Sequence, residues 1–140
     1  MKPLCWPPEW ASLSSFQKMM MGMPLFGFDR RLYVQFRRQV AERRRDAIAP
    51  WQQGSESLAL RESVAAIIQR EMRWPNSLFI DEDPCSILFF DPLHHMDSTR
   101  AILYIEKAHG RNSILEKISQ ITFGMLVAAL SEKTVKGTTV

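Results

Sequence analysis

Apolar residues recur every four positions at Leu32, Phe36 and Val40, with Phe28 and Tyr33 flanking them, and arginines hold most of the remaining faces. That spacing predicts an amphipathic helix from Asp29, with Arg30, Arg31, Arg37, Arg38, Arg43, Arg44 and Arg45 turned away from a buried stripe. The helix ends before Pro50, because the residue preceding a proline is pushed out of the helical region. Residues 50–55 read as a linker. Ser55 or Ser57 then caps a second helix whose apolar positions Leu60, Val64, Ile67, Ile68 and Met72 share one side, and Trp74-Pro75-Asn76 stops it.

The apolar runs at Leu78-Phe79-Ile80 and Ile87-Leu88-Phe89-Phe90 have the look of a hairpin. Pro84, Pro92 and the acids between them favour instead a long loop that lays apolar side chains onto a helical core. A third helix is expected from Asp97 or Ser98 to His109, burying Ala101, Ile102, Ile105 and Ala108 and closing at Gly110. A short helical turn follows at residues 113–116. The last helix is expected to start at Ser119 as N-cap, with Ile118 and Phe123 as a hydrophobic staple, and to bury Phe123, Leu126, Val127 and Leu130. Residues 134–140 read as a frayed polar tail. Residues 1–27 show no sustained period and are expected to be irregular, apart from a helical turn near residues 13–21. The pattern as a whole is that of an all-α protein.

With 140 residues and 46% hydrophobic content, one modest core is the natural expectation. The net charge of +3 hides a division: residues 1–54 hold nine Lys and Arg against four Asp and Glu, and residues 55–140 hold nine against eleven. We therefore expect a basic N-terminal extension over 1–54 and a helical bundle over 55–140. Cys5 and Cys85 match no metal-ligand spacing, His94-His95 lacks a completing ligand, and Asp81 and Asp83 lack the spacing and glycine of a calcium loop. These residues imply a reduced, cytoplasmic protein without a metal. No run approaches the roughly 18 apolar residues of a membrane span, and no signal-like cleavage site follows the N-terminal apolar patches.

The chemistry-bearing stretch is His95-Met96-Asp97-Ser98-Thr99, an Asp-Ser pair at a predicted helix start after a segment, residues 77–97, that contains five acids and no Lys or Arg. A serine there is either a plain N-cap or an exposed hydroxyl where a phosphodiester is electrostatically welcome. From about residue 57 to residue 133 the order of parts resembles the acyl carrier protein family, including its peptidyl carrier relatives. Ser63-Val64-Ala65-Ala66-Ile67-Ile68 is similar to that family's first helix, and Phe79-Ile80-Asp81-Glu82-Asp83 to its acidic loop. Asp97-Ser98 is similar to its modification site, and Glu116-Lys117-Ile118-Ser119 to the entry of its last helix. The chain departs from the family at His95, where glycine is usual, and at Thr99, where leucine normally follows the serine.

The resemblance implies an acyl-carrier-like helical bundle that is not an enzyme. It implies a covalent 4'-phosphopantetheine arm on Ser98, with Asp97 beside it, and partners that include a phosphopantetheinyl transferase and acyl-transferring enzymes of fatty acid or secondary metabolite biosynthesis. Ile67, Ile102, Ile105 and Leu126 would line a shelter for the acyl chain. The arginine helix suggests a different role, that of a non-catalytic interaction or regulatory protein whose Arg37, Arg38, Arg43, Arg44 and Arg45 meet an acidic protein or nucleic acid. The apolar stripe of that helix is expected to dock on the bundle or on a second copy, as a homodimer.

Overall fold

The longest helix, α2 (Ser55–Met72), buries Val64, Ala65, Ile67, Ile68 and Met72 along the side the periodicity marks, with Leu60 half-buried at its edge. It is one element of a computed structural model that describes residues 2–6, 28–47, 55–91 and 97–138. The other helices are α1 (Phe28–Ala41), α3 (Cys85–Leu88), α4 (Asp97–His109) and α5 (Phe123–Thr138), with 3-10 segments at Arg45–Ala47 and Ser113–Gln120. The fold is all-α. Among the described residues there is no strand, only an isolated antiparallel bridge between Pro84 and Thr122, and no helix is long and apolar enough to cross a membrane. The expected turn at residues 13–21 and linker residues 50–54 lie outside the described residues.

Helix α2 packs against both α4 and α5, and the 3-10 segment Ser113–Gln120 packs on α3 and α5. Residues 78–91 supply no hairpin. They run as a loop with α3 inside it, burying Phe79, Ile80, Ile87, Leu88 and Phe89. Phe79 stands edge-on to Trp74 and to Phe123, with ring centroids 5.8 Å apart in each pair, which links the end of α2 to the start of α5.

Backbone hydrogen bonds stitch this loop to the entry of α5: Phe123 N donates to Asp83 O, Gly124 N to Asp81 O and Cys85 N to Ile121 O. Position 124 needs glycine, because a Cβ there would stand 2.8 Å from the Asp81 Cβ.

The ends of the helices show which caps operate. Gly110, at φ 85°, donates its N–H to Glu106 O and closes α4 as expected. Helix α2 closes on Arg73 at φ 61°, with Trp74 N donating to Gln69 O, the pattern in which glycine is usual. A non-glycine residue in that left-handed conformation costs about 1–3 kcal/mol. The start of α5 differs from the expectation. Ser119 lies inside the 3-10 segment, and the cap is Thr122, whose hydroxyl accepts from Met125 N. Ala108 of α4 is exposed rather than buried, because the buried side of that helix is narrowed to Asp97, Ala101 and Ile105.

Helix α1 belongs to the core. Leu32, Phe36 and Val40 are buried in the same cluster as Val64, Ile105 and Leu126, and Leu4 joins them from the N-terminal strap at residues 2–6. Trp6 stands edge-on to Phe36 and Phe90, at 5.5 and 5.1 Å between centroids, and its indole N–H donates to Ser86 Oγ. The division expected at residue 54 therefore does not separate two hydrophobic cores. The charge asymmetry reports the outer face of α1, and its inner stripe decides where the helix sits.

Candidate functional site

Helix α4 begins at Asp97, whose N–H donates to Asp91 Oδ2 at 3.0 Å, so the carboxylate of Asp91 caps the helix. The Asp97 side chain is buried. Its Oδ2 accepts from Arg73 Nε at 3.1 Å and its Oδ1 pairs with Arg100 NH2 at 3.5 Å, while Arg100 NH1 lies 3.9 Å from Glu71 Oε2. Ser98 follows in the first turn, half-buried, and its hydroxyl makes no hydrogen bond to any other described residue. The backbone N–H groups of a first turn lack intrahelical acceptors, and the helix dipole adds about 0.3–1 kcal/mol for an anion placed there. Of the two residues expected to act together, Ser98 is the one whose polar group is not engaged by another described residue. Asp97 is committed inward to two arginines.

The arginines expected to form one free basic surface separate into two groups. Arg43 is a core residue, with its side chain 4% exposed and that of Asp83 0% exposed. Its two terminal nitrogens hold both carboxylate oxygens of Asp83, at 2.6 and 2.7 Å, and it also donates to Leu78 O and Lys2 O. Asp83 in turn accepts from Leu4 N and Ile80 N. A signal for this lay in the spacing: Phe36, Val40 and Arg43 fall at i, i+4 and i+7, so Arg43 continues the buried stripe past the end of α1.

Arg37 is also withdrawn from the surface. Its guanidinium carbon lies 3.4 Å from the Tyr33 ring centroid and 4.2 Å from that of Trp74, and NH2 donates to Met72 O. Burial pushes its pKa down to about 10 against the raising influence of Tyr33, Asp91 and Asp97, which leaves it charged at neutral pH. Arg38, Arg44 and Arg45 are exposed as expected, together with Arg30 and Arg31, and Arg44 makes an exposed pair with Asp46.

A further pair that the sequence does not announce joins two helices. Ser63 Oγ of α2 and His109 Nε2 of α4 are 3.0 Å apart, brought together by helix packing across 46 positions of chain. His109 stands four residues after the buried Ile105, which marks the face it shares. No carboxylate orients the other ring nitrogen among the described residues, so the pair serves as an interhelical hydrogen bond.

Burial lowers the pKa of His109 from its ordinary 6.5, so the unfolded chain takes up a proton more readily than the folded one. This contribution to stability is full above about pH 6.5 and is lost as pH falls below it. Chemical denaturation at a series of pH values should show that decline, and His109→Gln should flatten it.

The described residues contain no group of three His, Cys, Asp or Glu able to hold a metal, and His94 and His95 lie outside them. The buried Cys85 thiol is pushed up to about 12 by burial and by Asp83, which keeps it unreactive. The expected shelter residues Ile105 and Leu126 are fully buried, Ile67 nearly so, and Ile102 is half-buried. Compared with protein-family models, curated proteins and solved structures, the chain matches none.

Proposed function

We propose that this chain is a non-enzymatic, cytoplasmic carrier in which Ser98 is the attachment point of a 4'-phosphopantetheine arm. The observation that carries the reading is that Ser98 is not used to cap its own helix. Asp91 takes the Asp97 N–H, and the Ser98 hydroxyl, one residue further in, has no partner among the described residues. Support also comes from the order of parts, with α2 and α5 packed together and α4 lying on α2. When bound, such an arm supplies a terminal thiol that holds an acyl group as a thioester. The protein's own part is to present the serine oxygen in the first turn of a helix, where N–H groups without intrahelical acceptors and the arginines held on Asp97 favour a phosphodiester. A phosphopantetheinyl transferase and acyl-transferring enzymes are the partners this reading requires.

The test is intact mass after incubation with coenzyme A and a broad-specificity phosphopantetheinyl transferase. Wild type should gain a single arm and Ser98→Ala none. Because Ser98 is not the cap, Ser98→Ala should change stability by no more than about 0.5 kcal/mol, as for an ordinary surface substitution. Asp91→Ala should cost about 0.5–2 kcal/mol, as for a lost cap. A mass gain that persists in Ser98→Ala, or no gain with any transferase, overturns the reading.

A second reading is favoured by the exposure of Arg30, Arg31, Arg38, Arg44 and Arg45, a basic surface suited to an acidic protein or nucleic acid. Salt-sensitive binding by a protein whose Ser98 remains unmodified in its native host would select it.

A further inference from the structure

Arg73 and Arg100 come to the same carboxylate from different elements. Arg73 reaches Asp97 from the residue that closes α2, and Arg100 from within the first turns of α4. Each uses part of its guanidinium to hold Asp97 and keeps about half of its side chain in solvent, 57% exposed for Arg73 and 52% for Arg100. Asp97 itself is turned inward and immediately precedes Ser98. A surface ion pair between long side chains normally has little stability to offer. Here one buried acid restricts two arginines at once, at the residue immediately before Ser98, whose hydroxyl has no partner among the described residues. Arg73 also occupies a left-handed backbone position that glycine would fill without strain.

Asp91, Asp97 and Glu71 oppose an anion, and Arg37, Arg70, Arg73 and Arg100 favour it; Asp91 and Asp97 are already engaged with the α4 N–H and with the arginines. Guanidinium groups have donors to spare after one carboxylate contact and suit the oxygens of a phosphoryl group.

We propose that Arg73 and Arg100 are a phosphate-holding pair for an O-linked phosphoryl group on Ser98, oriented for that task by Asp97. This rests on the reading of Ser98 as an attachment point. The shared chemistry is the phosphate oxygens, whether they belong to the diester of a phosphopantetheine arm or to a phosphomonoester placed by a kinase.

The experiment uses the full chain with phosphoserine incorporated during translation at position 98, followed by phosphorus NMR across pH. In the wild-type background the second phosphate pKa should fall by about 0.5 unit or more below its ordinary value of about 6, and added salt should reduce the shift. Arg73→Gly and Arg100→Gln should each diminish the shift and together abolish it. Arg73→Lys, which keeps the charge, should retain most of it, as a merely structural role would not require. An unshifted phosphate, or an equal shift in the double variant, overturns the proposal. Arm loading measured by mass separates the two ideas. Loading with an unshifted phosphate leaves the Ser98 reading standing and removes the arginine pair. A shifted phosphate without loading supports the pair and assigns the phosphate to a phosphomonoester.

Discussion

Asp83→Ala is expected to destabilise the protein by about 3–5 kcal/mol, the range for removing one partner of a buried ion pair. The carboxylate of Asp83 is fully buried and receives four donors: both terminal nitrogens of Arg43, Leu4 N and Ile80 N. Truncation leaves the Arg43 guanidinium without its counter-charge in a site that excludes water. It also removes the acceptors that pin the N-terminal strap and the loop before α3. Urea denaturation followed by circular dichroism measures the loss, and a change within about 0.5 kcal/mol would mean that the pair is open to solvent in the folded protein. Asp83→Asn should fall between wild type and alanine, because it keeps hydrogen-bonding capacity without the charge.

The same pair decides how the arginine run responds to charge reversal. Arg44→Glu with Arg45→Glu should leave stability within about 0.5 kcal/mol, since both side chains are exposed. Adding Arg43→Glu should unfold the protein, because it would place two carboxylates together inside the core. A triple reversal of positions 43–45 therefore reports on folding and not on partner capture.

Phe36→Ala is expected to cost about 3–5 kcal/mol, the usual range for deleting a buried aromatic ring. The ring is fully buried, edge-on to Trp6 and Phe90, within the cluster that also holds Val64, Ile105 and Leu126. If α1 were an appendage with its own small contact, the substitution would release that helix alone and leave the bundle's unfolding midpoint in place. A single cooperative transition shifted to lower denaturant, seen alike by far-UV circular dichroism and tryptophan fluorescence, is the expected result. Two separated transitions would show that the strap and α1 fold independently of the bundle.

The all-α architecture and the buried sides of α1, α2 and α5 were legible in the sequence, because helix periodicity is a local property written into each segment. Leu32, Phe36 and Val40, or Val64, Ile68 and Met72, announce their face at 3.6-residue spacing whatever they pack against. The closure at Gly110 and the helix start at Asp97 were legible for the same reason. What escaped were choices among chemically similar neighbours. Asp91 rather than Ser98 caps α4, Thr122 rather than Ser119 caps α5, and the Arg43 side chain is buried and Arg37 half-buried while Arg38, Arg44 and Arg45 are exposed.

Each of those outcomes depends on a partner distant in the chain or on a fold of the loop between elements. Arg43 meets Asp83 across 40 positions, Ser63 meets His109 across 46, and Arg73 meets Asp97 across 24. By itself the sequence determined which segments are helical and which side of each is apolar, since a stripe of side chains needs only its own backbone to exist. The tertiary structure alone decided which polar groups lose water and which remain available, because that depends on what the packed helices bring within hydrogen-bonding distance.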